Sequence, residues 1–172
     1  MKISAYFCTR DENFSSTTTN LLEYFKKCSI ETIPLIGEKS IFEAYKRVVN
    51  EYEGPFEDII IFCHDDIRIL TDPEVFTQLI EKKLSDKYIG FVGVAGTSYL
   101  TPTGVWWEQE PWSKGLHSGS VWHGELENCV HTYYGEYKNV VCLDGLFLAA
   151  KVRTLRNINL NKLNTFTGEW DF

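Results

Sequence analysis

The sequence predicts an α/β fold in which strands of a parallel sheet alternate with helices. Short apolar runs rich in β-branched residues alternate with longer segments whose apolar residues recur at helical spacing. The order strand, helix, strand, helix, strand up to residue 63 is typical of a doubly wound half. The run at 59–63 is apolar at every position, as expected for a strand buried on both faces.

The length and charge of the chain narrow the classes of protein to which it can belong. Its 172 residues and ordinary globular composition predict a single domain, 1–172, with a core of its own. The net charge of −7 and a pI near 5.1 argue against a broad surface for nucleic acid or anionic lipid. An anionic ligand therefore needs a local positive charge, such as a metal ion. Aromatic residues make up 15% of the chain, and several lie in polar stretches, which indicates a surface suited to stacking.

The cysteines and the hydropathy pattern predict a cytoplasmic protein. The five cysteines are odd in number and have no CxxC spacing, so we expect reduced core residues rather than disulfides. No apolar run approaches the ~20 residues of a membrane span. The first ten residues lack the charged start and long apolar centre of a signal peptide. We therefore expect no integral membrane segment.

Capping and breaking residues bound the elements of the first half. Serine, threonine and aspartate precede the helical segments, and glycine and proline separate them from the strands. The predicted elements are a strand at 2–9, a helix capped within 15–19 and reaching Cys28, a strand at 30–36, a helix after Ser40, the strand at 59–63, a helix from Asp72 to about Ser85, and a buried strand at 89–95.

The second half has a different composition. Glycine, serine, threonine, proline and tryptophan dominate from Gly96 to His123, in a loop too aromatic to be a disordered linker. Short strands are predicted at 121–123 and 129–134, a clearer one at 139–143, and an apolar run at 146–150 that follows Asp144 and Gly145. We find no internal repeat.

The central apolar run is followed at once by His64, Asp65 and Asp66. Two adjacent carboxylates at the end of a buried strand repel one another and lose hydration, so such a fold usually supplies a cation. Carboxylate oxygens suit Mg²⁺ or Mn²⁺, whose open positions can take the oxygens of a diphosphate. The alternative is a polar loop whose aspartates cap the next segment or face water. Ligands gather at the carboxyl ends of parallel strands, which favours the metal hypothesis.

Two further features each have two interpretations. Trp106 and Trp107 belong either to the core or an interface, or to a platform on which the apolar face of a sugar ring stacks. Asp144, at the edge of an apolar run and before Gly145, either caps a turn or binds a hydroxyl or acts as a base.

Several motifs in order carry a resemblance to a known family. They are the S-I-F-E-A-Y helix from Ser40, the apolar strand into H-D-D at 64–66, I-G-F-V-G-V-A-G-T at 89–97, G-V-W-W at 104–107, and L-D-G-L-F-L-A-A-K from Leu143. Over most of its length the chain resembles the GT-A glycosyltransferases, in particular small bacterial and viral members of the family-2-like group. The resemblance implies a Rossmann-like mixed sheet flanked by helices.

The resemblance also implies roles for individual residues. H-D-D is a variant of the DxD-type motif, with Asp66 as metal ligand and Asp65 beside the donor ribose and the metal. The loop at 9–13 would hold the nucleotide base. The implied nucleotide-sugar contacts are Thr9, Arg10, Glu12, Ser40, His64 and Asp65. Residues 1–98 would form the nucleotide-sugar half, and residues 99–172 the acceptor half.

On the acceptor side, the resemblance implies that residues 96–119 line the acceptor and that Trp106, Trp107, Asp144 and Gly145 contact sugar or acceptor. In the family, the catalytic base follows an aromatic and glycine-containing stretch, and the residue at that place here is Glu169 or Asp171. Asp144 is a further candidate. Otherwise the base lies beyond Phe172. The expected activity is the metal-dependent transfer of a hexosyl group, with inversion, from a UDP-sugar to a glycan or other hydroxyl. The alternative is a non-catalytic nucleotide- or carbohydrate-binding module, or a truncated transferase.

Overall fold

The computed structural model describes residues 1–158, which fall into two units. The first unit contains Met1–Val92 and the chain from Ala149 onward, and the second contains Gly93–Leu148. These units differ from the expected halves, 1–98 and 99–172, because the chain returns to the first unit after the second. The assignment of the whole chain to one domain stays a prediction.

The first unit begins with alternating strands and helices. Its elements up to the second unit are β1 (Ile3–Thr9), α1 (Ser16–Lys27), β2 (Glu31–Ile36), α2 (Ile41–Glu51), β3 (Ile59–Cys63), α3 (Pro73–Ser85) and β4 (Phe91–Gly93). The second unit is mostly strands. It contains β5 (Ala95–Thr97), α4 (Gln109–Ser113), β6 (His117–His123), a 3₁₀ turn (Leu126–Asn128), β7 (Val130–Gly135) and β8 (Cys142–Leu143). The chain then forms β9 (Phe147–Lys151) and α5 (Val152–Asn157).

Side-chain caps start the three long helices, as the sequence predicts. The hydroxyl of Ser15 accepts the Thr18 N–H at 3.0 Å, and that of Ser40 accepts the Glu43 N–H at 3.4 Å. Asp72 accepts the Glu74 N–H at 3.0 Å, one residue before a proline at the first helical position. Each cap satisfies an N–H that has no partner within its helix, so these starts are set locally.

The sheet of the first unit has the order β2-β1-β3-β9-β4, with β1 parallel to both β2 and β3. Every residue of β3 is buried, as predicted. Residues of β3 pack with the apolar stripe of α2 in a cluster that comprises Leu35, Ala44, Val48, Val49, Ile60, Phe62, Ala150, Val152 and Leu155. The parallel strands with covering helices confirm the α/β class.

The sheet of the second unit is antiparallel in its observed pairings, with the order β7-β6-β5-β8. Two glycines allow its strands to approach closely. A Cβ on Gly96 would lie 2.2 Å from the Cys142 carbonyl oxygen, and one on Gly119, whose φ is +109°, would lie 2.1 Å from the Val94 carbonyl oxygen. Both positions therefore require glycine.

Two predicted strands are wrong. The run at 89–95 is not one buried strand: it forms the half-buried β4, leaves the ladder at Val94, and continues as β5 in the other sheet. An apolar run does not show in which sheet each of its parts pairs. The strand at 139–143 is reduced to β8, which has two residues, because its partner β5 is itself only three residues long. The helix α5 was not anticipated.

The cysteines are less buried than the sequence predicts. All five cysteines are free, although only Cys63 is fully buried. Within residues 1–158, no helix combines the length and the apolar character that crossing a membrane requires.

Candidate active site

The acidic motif lies directly after β3, where the buried strand reaches the edge of the sheet. Asp65 is half-buried and Asp66 is exposed. The Nδ1 atom of His64 lies 3.9 Å from Oδ1 of Asp66. Among the described residues, neither carboxylate forms an ion pair with a lysine or an arginine. Apart from the His64 imidazole, the two carboxylates therefore have no basic ion-pair partner among the described residues.

The charge of Asp65 contributes to the pKa values of cysteine thiols near the ends of two strands. Burial first, and then the nearby carboxylates of Glu38 and Asp65, raise the pKa of the Cys8 thiol to about 11, while Arg47 opposes them. Burial likewise raises the pKa of Cys63 to about 12, with a contribution from Asp65. Cys8 belongs to β1 and Cys63 ends β3. Asp65 therefore lies beside the carboxyl ends of both strands.

Tyr45 of α2 secures the end of β3. Its ring stacks on Phe62, with centroids 4.0 Å apart and an interplanar angle of 20°. Its hydroxyl donates to the Cys63 carbonyl oxygen at 3.3 Å. Burial first, and then the neighbouring Cys8, Cys63 and Asp65, raise its pKa, so the hydroxyl stays protonated as a donor. The last residues of the strand are thereby positioned, and the motif starts from a defined point.

The ends of β1 and β2 lie at the same edge, because both strands run parallel. The Gly37 N–H donates to the Thr9 carbonyl oxygen at 2.9 Å and joins the two ends. Beyond Thr9, the exposed loop is shaped by Asp11, whose carboxylate accepts the Asn13 N–H at 2.7 Å. Arg10 and Glu12 are exposed in this loop. The structure thus brings the predicted base-binding loop and the acidic motif to one edge.

Ser40 has a structural use at this edge, since its hydroxyl caps α2. Between β2 and that cap, Glu38 forms an ion pair with Arg47 of α2. Neither Glu38 nor Arg47 was anticipated. Their pairing over nine positions joins a loop to a helix, and no local pattern in the sequence announces it.

The residues after β3 suit a metal site that is completed by a ligand. Within the described part of the chain, no group of three or more histidine, cysteine, aspartate or glutamate side chains could enclose an ion. Two carboxylates at an exposed edge instead offer a few oxygen ligands and leave the other positions open. Mg²⁺ and Mn²⁺ are commonly held in this way, by one or two carboxylates together with phosphate oxygens and water. The donor set therefore fits an ion of this kind.

In the second unit, the tryptophan pair is divided between interior and surface. Trp106 is 5% exposed and Trp107 is 55% exposed. The buried His117 donates from Nε2 to the Trp106 carbonyl oxygen at 2.7 Å, and the ring of Tyr134 meets the Trp106 ring edge-on at 5.2 Å. The two indoles are nearly perpendicular, at 85°. Trp106 packs as a core residue does, and only Trp107 presents an open ring.

Asp144 is half-buried and used in a turn. Its Oδ1 accepts the Leu146 N–H at 2.7 Å, and its own N–H donates to the Ala95 carbonyl oxygen at 2.9 Å. Burial and the charge of Asp144 together raise the pKa values of Tyr134 and Cys142. Gly145, next to it, is exposed. These contacts match the capping interpretation and leave the second carboxylate oxygen available. Glu169 and Asp171 lie outside the described residues.

Comparison with known proteins agrees with the fold. No curated protein matches the chain. A family model described as glycosyltransferase-like matches residues 6–157. That range includes the three parallel strand ends, the acidic motif and the whole second unit. The predicted resemblance is confirmed, and the chain belongs to this glycosyltransferase-like family.

Proposed function

We propose that the chain transfers a sugar from a nucleotide-diphosphate sugar, with UDP as the nucleotide, to a hydroxyl acceptor in a metal-dependent, inverting reaction. The observation that carries the proposal is the pair of carboxylates after β3, which have no lysine or arginine partner among the described residues. A fold gains little by holding two such charges at one sheet edge unless a cation joins them in use. The free cysteines support a cytoplasmic setting.

The proposed donor site uses the edge formed by β1, β2 and β3. Asp66 would hold Mn²⁺ or Mg²⁺, and Asp65 would bind the ribose beside it. The contacts that we propose for the nucleotide sugar are Thr9, Arg10, Glu12, Ser40, His64 and Asp65. When bound, the divalent ion neutralises charge on the diphosphate as it leaves. Electrostatic help of this kind is needed because the chain has a net charge of −7.

The transfer itself requires a base. A carboxylate takes the proton of the acceptor hydroxyl, the oxygen forms a bond to the anomeric carbon, and the bond from that carbon to the diphosphate breaks. The nucleoside diphosphate departs with the electron pair, and attack from the opposite face inverts the configuration. We propose Asp171 as this base, with Glu169 as the neighbouring candidate. Asp144, with Gly145 and the exposed Trp107, would contact the sugar or the acceptor.

Calorimetry tests the metal role of Asp66. Titration of UDP into the wild-type chain should give metal-dependent binding, tight with Mn²⁺ and weak without it. Asp66→Ala should remove most of this dependence, and Asp65→Ala should weaken binding less, because it loses only the ribose contact. Asp86→Ala, a change at an exposed aspartate after α3, is the matched control and should bind as the wild type does. Unchanged Mn²⁺ dependence in Asp66→Ala would remove the metal role.

The assignment of the base is tested by transfer assays. Asp171→Asn should lower the transfer rate by about 10²-fold or more while metal-dependent UDP binding remains, since general bases contribute on that scale. Asp144→Asn should instead raise the KM for acceptor or donor sugar. Transfer by Asp171→Asn at the parent rate would reassign the base to Glu169 or Asp144. Failure of the wild-type chain to hydrolyse or transfer any nucleotide sugar would favour a non-catalytic binding module.

A further inference from the structure

The outer half of the ribbon formed by β6 and β7 extends beyond the rest of its sheet. β5 pairs with His117, Ser118 and Gly119 of β6, whereas the ladder partners of residues 120–123 all lie in β7. Of these residues, Ser120 also donates its N–H to a carbonyl oxygen outside the ribbon, that of Val94, at 3.2 Å. We call residues 120–123 and 130–133 the outer ribbon. Two strands alone are marginally stable in water, because they lack a third strand or a helix to cover a face. The outer ribbon therefore needs stabilising cross-strand pairs, because it extends beyond the ladder that β6 forms with β5.

A bulge marks the start of the outer ribbon. Gly119 lies opposite Gly135, but the next residue, Ser120, lies opposite Tyr133, so β7 has one extra residue, Tyr134, at this point. Both glycines have positive φ, and a Cβ on Gly135 would lie 2.6 Å from the His117 carbonyl oxygen. Bulges increase the local twist and re-aim side chains. Here Tyr134 packs against Trp106, and Tyr133 is exposed.

Three aromatic rings share one face of the outer ribbon. Trp122 lies opposite His131, and Ser120 lies opposite Tyr133, so these four side chains point to the same side. The Trp122 and His131 rings stack, with centroids 4.5 Å apart and an angle of 18°. The His131 and Tyr133 centroids are 6.5 Å apart. Trp122 is 52% exposed and Tyr133 is 58% exposed. The face is a row of rings that stays open to solvent.

A hydrogen bond fixes the middle ring of this row. Nε2 of His131 and Oγ of Ser120 are 2.6 Å apart. The serine hydroxyl thus bonds the edge of the imidazole, and the indole stacks on its face. A purely structural role explains the stack of Trp122 on His131, which braces the two strands. It does not explain Tyr133, whose ring extends the row and remains mostly in water.

We propose that this face of the outer ribbon is a glycan-binding platform that holds an oligosaccharide acceptor. Aromatic rings at intervals along a strand pair can stack on the apolar faces of successive sugar rings. The hydroxyls of Ser120 and Tyr133 and the imidazole of His131 supply donors and acceptors for sugar hydroxyls. This proposal rests on the proposed function, since it defines the acceptor of that transfer as a glycan with several residues.

The composition of the face favours a glycan over a protein partner or a second copy. Stable protein interfaces have an apolar core, and this face has no aliphatic side chain, because Val121 and Val130 alternate to the opposite side. The face has one ionisable side chain, His131, apart from the Tyr133 phenol. A neutral, polyhydroxylated ligand with flat apolar faces complements it.

The test uses an array of neutral, N-acetylated and acidic oligosaccharides, followed by titration of the best binder. The wild type should bind a glycan of several residues more tightly than its monosaccharide. Trp122→Ala and Tyr133→Ala should each weaken that binding about ten-fold, and Trp122→Tyr should keep most of it, because stacking needs a ring. Tyr88→Ala, which removes a highly exposed aromatic from the other unit, is the matched control and should leave binding unchanged.

Two outcomes overturn the platform: no glycan on the array is bound by the wild type, or the best binder is retained fully by both Trp122→Ala and Tyr133→Ala. Tyr133 lies outside the Trp122–His131 stack, so its variant tests the face even where Trp122→Ala unfolds the ribbon. Metal-dependent UDP binding by the wild type is measured in parallel. If the wild type binds UDP but no glycan, the platform alone is refuted; if it binds a glycan but not UDP, the proposed donor site alone is refuted.

Discussion

The two ends of β3 hold acidic residues in opposite situations. Asp58 comes just before the strand and is 4% exposed; its carboxylate accepts the Lys2 N–H and the Tyr52 hydroxyl, each at 2.8 Å. Asp65 and Asp66 come just after the strand and have no lysine or arginine partner among the described residues. The first carboxylate is thus bonded within the fold, whereas the other two lack such bonds to lysine or arginine. The position of an aspartate beside the strand does not show whether the fold uses its carboxylate, but the contacts of that carboxylate do.

The second unit repeats the contrast with aromatic residues. Trp106 is packed against His117 and Tyr134, while Trp107, next in the chain, is exposed. In each unit, one of the compared residues, an aspartate in the first and a tryptophan in the second, has contacts that support the fold. Its counterpart lacks such contacts. If this contrast holds, changes to the packed member should lower stability, and changes to the open member should lower ligand binding or transfer.

The largest difference is expected between the two tryptophans. Trp106→Ala should lower the free energy of unfolding by about 3–5 kcal/mol, because it empties a large buried site. Trp107→Ala should change it by less than about 0.5 kcal/mol, as surface substitutions usually do, and should lower transfer instead. Chemical denaturation of both variants measures the difference. Equal destabilisation would mean that the two rings are not divided between interior and surface.

The aspartates at the two ends of β3 should differ in the same direction. Asp58→Ala leaves the Lys2 N–H and the Tyr52 hydroxyl without their charged acceptor; hydrogen bonds to a charged group are worth about 1.5–3 kcal/mol each, so we expect a loss of about 3 kcal/mol. Asp66→Ala should stay within about 0.5 kcal/mol of the wild type. The same denaturation experiment compares them. A strongly destabilised Asp66→Ala would show that this carboxylate is part of the fold, and the contrast between the ends would be lost.

The smallest effect concerns pH. Burial opposes ionisation of Asp58, but hydrogen bonds from Lys2 and Tyr52 outweigh it and lower its pKa. Since the folded pKa lies below the unfolded value of about 3.9, the carboxylate stabilises the fold above that value, and the stabilisation is lost as the pH falls through the folded pKa. Tyr52→Phe removes one donor and should reduce this acid-sensitive part by about 1 kcal/mol. Unfolding curves between pH 6 and 2 that fall in parallel would contradict the role given to Tyr52.

Local signals explain how much of the fold the sequence predicted. Helix caps at Ser15, Ser40 and Asp72 and the apolar run of β3 are determined by neighbours in the chain, and all of them are found in the structure. The strands of the second unit depend on partners far along the chain. The shortness of β5 limits β8, and the division of 89–95 between two sheets follows from pairing that no local pattern shows.

The candidate site was predictable to a similar extent. The place of His64, Asp65 and Asp66 at the end of a buried strand follows from the run that precedes them. The separation of Trp106 from Trp107 does not, because adjacent residues of one type differ only in what they contact in the fold. The pairing of Trp122 with His131 depends on the register after a bulge, and the sequence does not encode that register locally.

The central claim is that the carboxylates after β3 serve a metal-bound diphosphate. Crystals of the chain grown with UDP and Mn²⁺, measured at the manganese absorption edge, test it most directly. We expect an anomalous peak at coordination distance from the Asp66 carboxylate, with diphosphate oxygens completing the ligands and Asp58 still bonded to Lys2 and Tyr52. UDP bound with its diphosphate and manganese away from Asp65 and Asp66 would rule out this role of the two carboxylates.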